Sequence, residues 1–175
     1  MRHPRVGGHR LAYWRRAMST SLISPHLTVR SVEEAVAFYE RAFGFQRRLM
    51  LPGGPAGKIQ HAELERQGSK IMVGPESAKR GMLAPITSGR TPSISLYLQV
   101  ERVDRAHERA LKAGAVELLP PSDQFFGAKT SVIADPNGHQ WMLAEPRKEM
   151  SEQQMREAMR TENYATPKRR QFNTD

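Results

Sequence analysis

An α+β fold built from two copies of one βαβββ unit is what this sequence predicts, and three observations carry the prediction. A β-branched stretch, an amphipathic helical stretch and three more strand-like stretches occur in that order twice within 175 residues. The copies keep register: Ser24 matches Ser95 and Val29 matches Val100, and after the helix Gly68 matches Gly138 and Met72 matches Met142. The hydrophobic fraction of 38% and mean hydropathy of −0.61 leave enough apolar side chains for a compact middle with polar ends. A repeated supersecondary unit outweighs any single motif, because each copy has to bury one sheet face against its own helix.

The elements follow in order. SPHLTV (24–29) is short, carries β-branched residues and reads as a strand. SVEEAVAFYERAFGF (31–45) has Ser31 as N-cap with Glu34 three residues on, apolar Val32, Ala35, Val36, Tyr39, Ala42 and Phe43 at helical spacing, and Gly44 as the stop. QRRLML is a second strand, followed by a turn-rich loop, LPGGPAGK. IQHAELERQG and SKIMVG form a hairpin turning at Gly68. A Pro/Gly/Ser-rich connector then precedes a second round: strand SISLYLQV, helix VDRAHERALKAG closed by Gly114, strand AVELLP, loop PPSDQFFGAK, and the hairpin TSVIADPNGHQWMLAEP turning at Asn137-Gly138. This gives a basic tail over 1–21, modules over 22–74 and 93–146, a linker over 75–92, and a C-terminal helix and tail over 147–175. In that last stretch Met150, Met155 and Met159 form a thin apolar stripe suited to docking on the body or on a second subunit.

Strand alternation sorts the side chains onto two faces. Leu27, Val29, Ala62, Leu64, Ile71 and Val73 should face the first helix. Leu96, Leu98, Val100, Trp141 and Leu143 should face the second. The other face then holds His26, Thr28, His61, Glu63, Glu65, Lys70 and Met72 in one module, and Ser95, Tyr97, Gln99, Gln140 and Met142 in the other. Polar groups interspersed with Met and Tyr suit a semi-apolar ligand cup.

The net charge of +9 belongs mostly to the ends. Residues 1–17 hold five Arg and no acid, whereas residues 18–146 are nearly balanced. No aromatic–basic stripe crosses the body, so nucleic acid is not an expected partner and the tail reads as a solvated arm. The chain has no cysteine, which rules out disulfides, thiolate zinc and a Cys nucleophile, and fits a cytoplasmic setting. No apolar run reaches the roughly 18 residues of a membrane helix. Nor does any nucleophile elbow, phosphate loop or dinucleotide fingerprint occur, and PGGPAG (52–57) neither follows a nucleotide-type strand nor opens a helix.

Taken as an ensemble, PHLTV, AFYERAFGF, HAELERQGSKIM, DQFFG and ADPNGHQW resemble the vicinal oxygen chelate superfamily over about residues 22–146. That group includes glyoxalase I, bleomycin-resistance proteins, fosfomycin-resistance enzymes and extradiol dioxygenases, and the motifs are most similar to its PhnB-like branch. The resemblance implies that the two modules form a cupped, open mixed β-barrel. It also implies a dimer that takes up a small organic ligand. Metal-bearing members place His, Gln or Glu at four inward positions, which here are Ser24, Met72, Ser95 and Met142. Hydroxyl and thioether groups are poor ligands for hard or borderline divalent cations, so no standard metal site and no cofactor are expected.

The remaining candidates for chemistry are His26, His61, Glu63 and Tyr97, which supply acid–base groups, with Met72, Gln99, Gln124, Phe125, Phe126 and Met142 as ligand contacts. His26, His61 and Glu63 also have the composition of a two-His, one-carboxylate triad, so a metal-dependent lyase, isomerase or dioxygenase with shifted ligands stays open as the alternative. Phe125 and Phe126, flanked by Asp123 and Gln124, read equally as a lid over the cup or as a plug of the barrel mouth or a dimer interface. His139 reads as a turn or packing histidine.

Overall fold

A computed structural model describes residues 23–53 and 57–161 of the chain. The expectations for both termini, beyond the helix reported below, fall outside these residues. The element order is β1 (His26–Val29), α1 (Val32–Phe43), β2 (Gln46–Pro52), β3 (Ile59–Arg66), β4 (Ser69–Pro75), a 3-10 turn (Ala78–Arg80), α2 (Pro85–Ser88), β5 (Ser95–Gln99), α3 (Val103–Lys112), β6 (Val116–Asp123), β7 (Ala128–Ala134), β8 (Gln140–Pro146) and α4 (Glu152–Thr161). Two mixed four-stranded sheets result, ordered β1-β4-β3-β2 and β5-β8-β7-β6, so the α+β class with two βαβββ modules holds.

Local chemistry explains the first module. Ser31 Oγ accepts the Glu34 amide at 3.3 Å, and acidic Glu33 and Glu34 lie at the positive end of α1. Gly44, in the left-handed region, ends the helix: its amide binds the Glu40 carbonyl and the Phe45 amide binds the Tyr39 carbonyl. The β3–β4 hairpin turns through Gln67 (φ 49°) and Gly68 (φ 80°), a two-residue turn with both centres left-handed, for which glycine is the unstrained choice.

The register confirms the repeat. His26 pairs with Met72 in the first sheet and Tyr97 with Met142 in the second, both in parallel. Across the next strand Glu63 pairs with Met72 and Val132 with Met142. The face assignment also follows alternation: Leu27, Val29, Ala62, Leu64, Ile71, Val73, Val100, Trp141 and Leu143 are buried, and Leu96 and Leu98 are half-buried against them.

One core serves both modules. The helices α1 and α3 are in contact, and the buried side chains of both sheets belong to one cluster. Trp141 of β8 reaches across to α1, its ring centroid 4.7 Å from Phe43 and 5.5 Å from Tyr39. Asp135, buried in the β7–β8 turn, accepts from Tyr39 Oη at 2.6 Å, Trp141 Nε1 at 3.1 Å and the amides of Asn137 and His139. Burial raises the Tyr39 phenol well above its usual pKa, and the Asp135 charge adds to this, so Tyr39 remains a proton donor. His139 acts in this turn: its Nε2 lies 2.8 Å from the Thr28 carbonyl.

The two sheets stay separate. No strand of one pairs with a strand of the other, so one chain does not close a barrel.

The second module departs from expectation at one edge. β6 continues through Pro120 and Pro121 to Asp123, where a loop from 120 to 129 was expected. Two prolines are tolerated because β6 is an edge strand and its register slips between Leu119 and Ser122, so no ladder amide is missing there. The loop shrinks to residues 124–127. In α3, His107 is buried with Nε2 2.9 Å from Glu117. Helix α4 forms, with Met155 and Ala158 half-buried and Met159 56% exposed.

Candidate functional site

The sheet faces turned away from the helices hold most of the candidate side chains. On the first, His26, Met72, Glu63 and Leu49 form one row across β1, β4, β3 and β2, and His61 stands in the next row beside Gly74. His26 and His61 stack with centroids 6.1 Å apart. A Cβ at Gly74 would lie 2.8 Å from His26 Cε1, so glycine is what lets the imidazole lie down on β4. The partial desolvation this causes is the largest reason the His26 pKa is lowered, with the His61 and Arg80 charges acting in the same direction. His26 is therefore neutral at pH 7 and able to accept a proton or a hydrogen bond.

Glu63 is buried at 8% exposure. Its Oε2 binds Lys70 Nζ at 2.9 Å, with both side chains largely covered, while Oε1 lies 3.6 Å from His61 Nε2, too far for a hydrogen bond. Sequence reasoning placed Lys70 on this face but gave it no role. Its partner stands one row away across the hairpin, a pairing that appears only once the register is known. Gly74 and Leu49 were likewise missed, since a glycine and a strand leucine carry no chemical signature of their own.

The second face is apolar at its centre: Tyr97, Met142, Val132 and Leu119 form the row that corresponds to His26, Met72, Glu63 and Leu49. Tyr97 is 60% and Leu119 38% exposed. Tyr97 and Gln99 also line an open cleft of about 840 Å³ along the free edge of β5, shared with Arg66 and Lys70 from the first module.

The sequence-predicted residues therefore divide into separate groups. His26, His61, Glu63 and Met72 come together on the first sheet, and Tyr97, Gln99 and Met142 on the second. Gln124, Phe125 and Phe126 lie at the far end of the β6–β7 hairpin, where the phenyl rings meet edge to face at 5.3 Å. The amides of Arg147 and Lys148 bind the Gly127 carbonyl and hold this loop to the segment leaving β8. Gln124 reaches back to Ser122 Oγ at 2.8 Å.

Residues 21–143 match the sequence profile described as "Glyoxalase/Bleomycin resistance protein/Dioxygenase superfamily". The chain belongs to this superfamily. Among curated superfamily relatives, uncharacterized proteins of Mycobacterium bovis and Mycobacterium tuberculosis strain H37Rv are each 36% identical over 140 residues, which is 78% of this chain and 91% and 81% of theirs. Solved structures with the same fold include TioX from Micromonospora sp. ML1 (24% identity, TM-score 0.53, covering 72% of this chain and 98% of that one). The fosfomycin resistance protein FosX from Mesorhizobium loti also has it (14%, 0.53, 73% and 93%).

The resemblance carries the metal positions of some superfamily members over to four side chains of this chain. The carried-over positions offer two hydroxyls and two thioethers, from Ser24, Ser95, Met72 and Met142, which are weak donors for divalent cations. Glu63, the one buried carboxylate beside the imidazoles, already holds an ammonium. Among the described residues no three His, Asp or Glu side chains lie close enough to share an ion.

Proposed function

We propose that this protein binds a small organic molecule, without a metal at the standard positions, in a cup that two copies of the chain build together. The first sheet of one copy faces the second sheet of its partner, and a two-fold axis then gives two equivalent cups. The observation that carries this reading is the orientation of the modules. Their helix-bearing sides share one core, so the two cup-type faces turn away from it and leave Tyr97, Leu51 (47% exposed) and Leu119 uncovered. A semi-apolar face with a few polar groups needs a second wall to enclose a ligand. Superfamily membership supports the ligand class, the motifs support the PhnB-like branch, and the absence of cysteine supports a cytoplasmic setting.

In such a cup the first sheet supplies the polar groups. Neutral His26 orients or deprotonates an acidic group of the ligand, the Glu63–Lys70 pair fixes its polar end, and Tyr97 and Met142 of the facing sheet hold its apolar part. The four-residue loop carrying Phe125 and Phe126 lies at the rim.

The test is binding of 1-anilinonaphthalene-8-sulfonate to the full chain, with elemental analysis of the same sample. The expected result is saturable binding that EDTA leaves unchanged and that Tyr97→Ala weakens. About one tightly held metal per chain, lost together with binding in His61→Ala, would replace this reading with the shifted-ligand metal enzyme.

A further inference from the structure

Away from both sheet faces, a cleft of about 510 Å³ runs between the end of α1 and the start of α3. Five arginines line it, Arg41, Arg66, Arg102, Arg105 and Arg109, against a single acid, Glu101. Its floor is apolar, with buried Phe43 and Ala106. Two of the guanidinium groups are pinned across the module junction: Arg66 donates to the Gln99 carbonyl at 3.1 Å and Arg109 to the Ala42 carbonyl at 2.7 Å. Each spends one of its five N–H donors on that anchor, leaving four. Arg41, Arg102 and Arg105 make no side-chain ion pair among the described residues, and of the neighbouring acids Asp104 pairs with Lys129, Glu108 with Lys112 and Glu40 with Arg47.

We propose that this cleft is a binding site for a small molecule carrying two or more phosphate groups. Like charges held in one concavity repel, and fixing two of them in place leaves them unable to move apart. Burial and then the Arg109 charge lower the Arg66 pKa, with the Glu101 carboxylate acting in the opposite direction. A multiply charged anion relieves the repulsion, and planar guanidinium forks match phosphate oxygens in pairs. The volume fits a compact polyphosphate or nucleotide-sized group rather than a nucleic-acid helix. The site adjoins the cleft along the edge of β5, with which it shares Arg66, Val100 and Glu101.

The experiment is calorimetric titration of the full chain with pyrophosphate at two salt concentrations, repeated with citrate and with a short single-stranded oligonucleotide. The informative variant is Arg102→Gln/Arg105→Gln, at two exposed positions whose side chains make no hydrogen bond among the described residues. The control, Lys79→Gln/Arg90→Gln, removes the same charge from the linker. Pyrophosphate affinity is expected to fall about tenfold or more in the first variant and to stay within about twofold in the second. The proposal is overturned by an absence of pyrophosphate binding, by an equal loss in both variants, by citrate binding as tightly as pyrophosphate, or by tighter binding of the oligonucleotide.

Discussion

Where the first sheet carries His26, the second carries Tyr97 at the same ladder position, and where the first carries Glu63, the second carries Val132. Gly74 corresponds in the same way to Ala144, while Met72 and Met142 coincide. The two faces share a backbone and a central thioether but differ in chemistry: one holds a carboxylate, an ammonium and two imidazoles, the other a phenol in an apolar central row flanked by Ser95 and Gln99. A duplicated fold has thus been divided into a polar wall and an apolar wall. Divergence of this kind points to a ligand with two unlike ends.

The comparison can be broken or sharpened by substitution, beginning with the link that makes the two modules one body. Asp135→Ala leaves Tyr39 Oη and Trp141 Nε1 buried without their acceptor and removes the bridge from β8 to α1, so a loss of about 3–5 kcal/mol is expected in denaturant unfolding. Independent melting of the modules with no such loss would show that the shared core matters less than described. Glu63→Val copies the second face onto the first. It strips Lys70 of a covered carboxylate at an expected cost of about 1–3 kcal/mol, readable as a lower urea midpoint, and an unchanged midpoint would mark the pair as incidental.

Gly74→Ala makes the same conversion one row away. The His26 ring is free to swing off β4, so stability is expected to change by about 1 kcal/mol or less. The NMR titration of His26 should shift back toward the ordinary imidazole pKa as the ring regains water. The smallest effect is on pH dependence. A lowered pKa means that the unfolded chain takes up the His26 proton first, so this contribution to stability is complete above the ordinary imidazole value near 6.5 and is lost as pH falls through the folded value. His26→Asn should flatten that part of the stability profile.

Much of the fold was legible in the sequence because its signals are local. Ser31 and Gly44 bracket α1, Gly68 sets a two-residue turn, and strand alternation assigns Leu27, Ile71 and Trp141 to the core. The extent of β6 was not legible, since Pro120 and Pro121 ordinarily end a strand and only its edge position with a slipped register excuses them. The site was legible in part. Alternation placed His26, His61 and Glu63 on one face and Tyr97 and Met142 on another, but it cannot say whether those faces meet within one chain. Sequence spacing also hid the arginine cleft, whose residues come from α1, β3 and α3 and converge only through the module junction.

The claim that matters most is that the polar wall of one copy faces the apolar wall of another. The chain has no cysteine, so single cysteines can be placed at will. Met72→Cys and Met142→Cys chains, one tagged and co-expressed, would be treated with a short bismaleimide and resolved by mass. The proposed two-copy cup predicts a covalent dimer joining one Met72→Cys chain to one Met142→Cys chain, with little product from either variant alone. Linkage within single Met72→Cys/Met142→Cys chains, with the protein monomeric by light scattering, would contradict it.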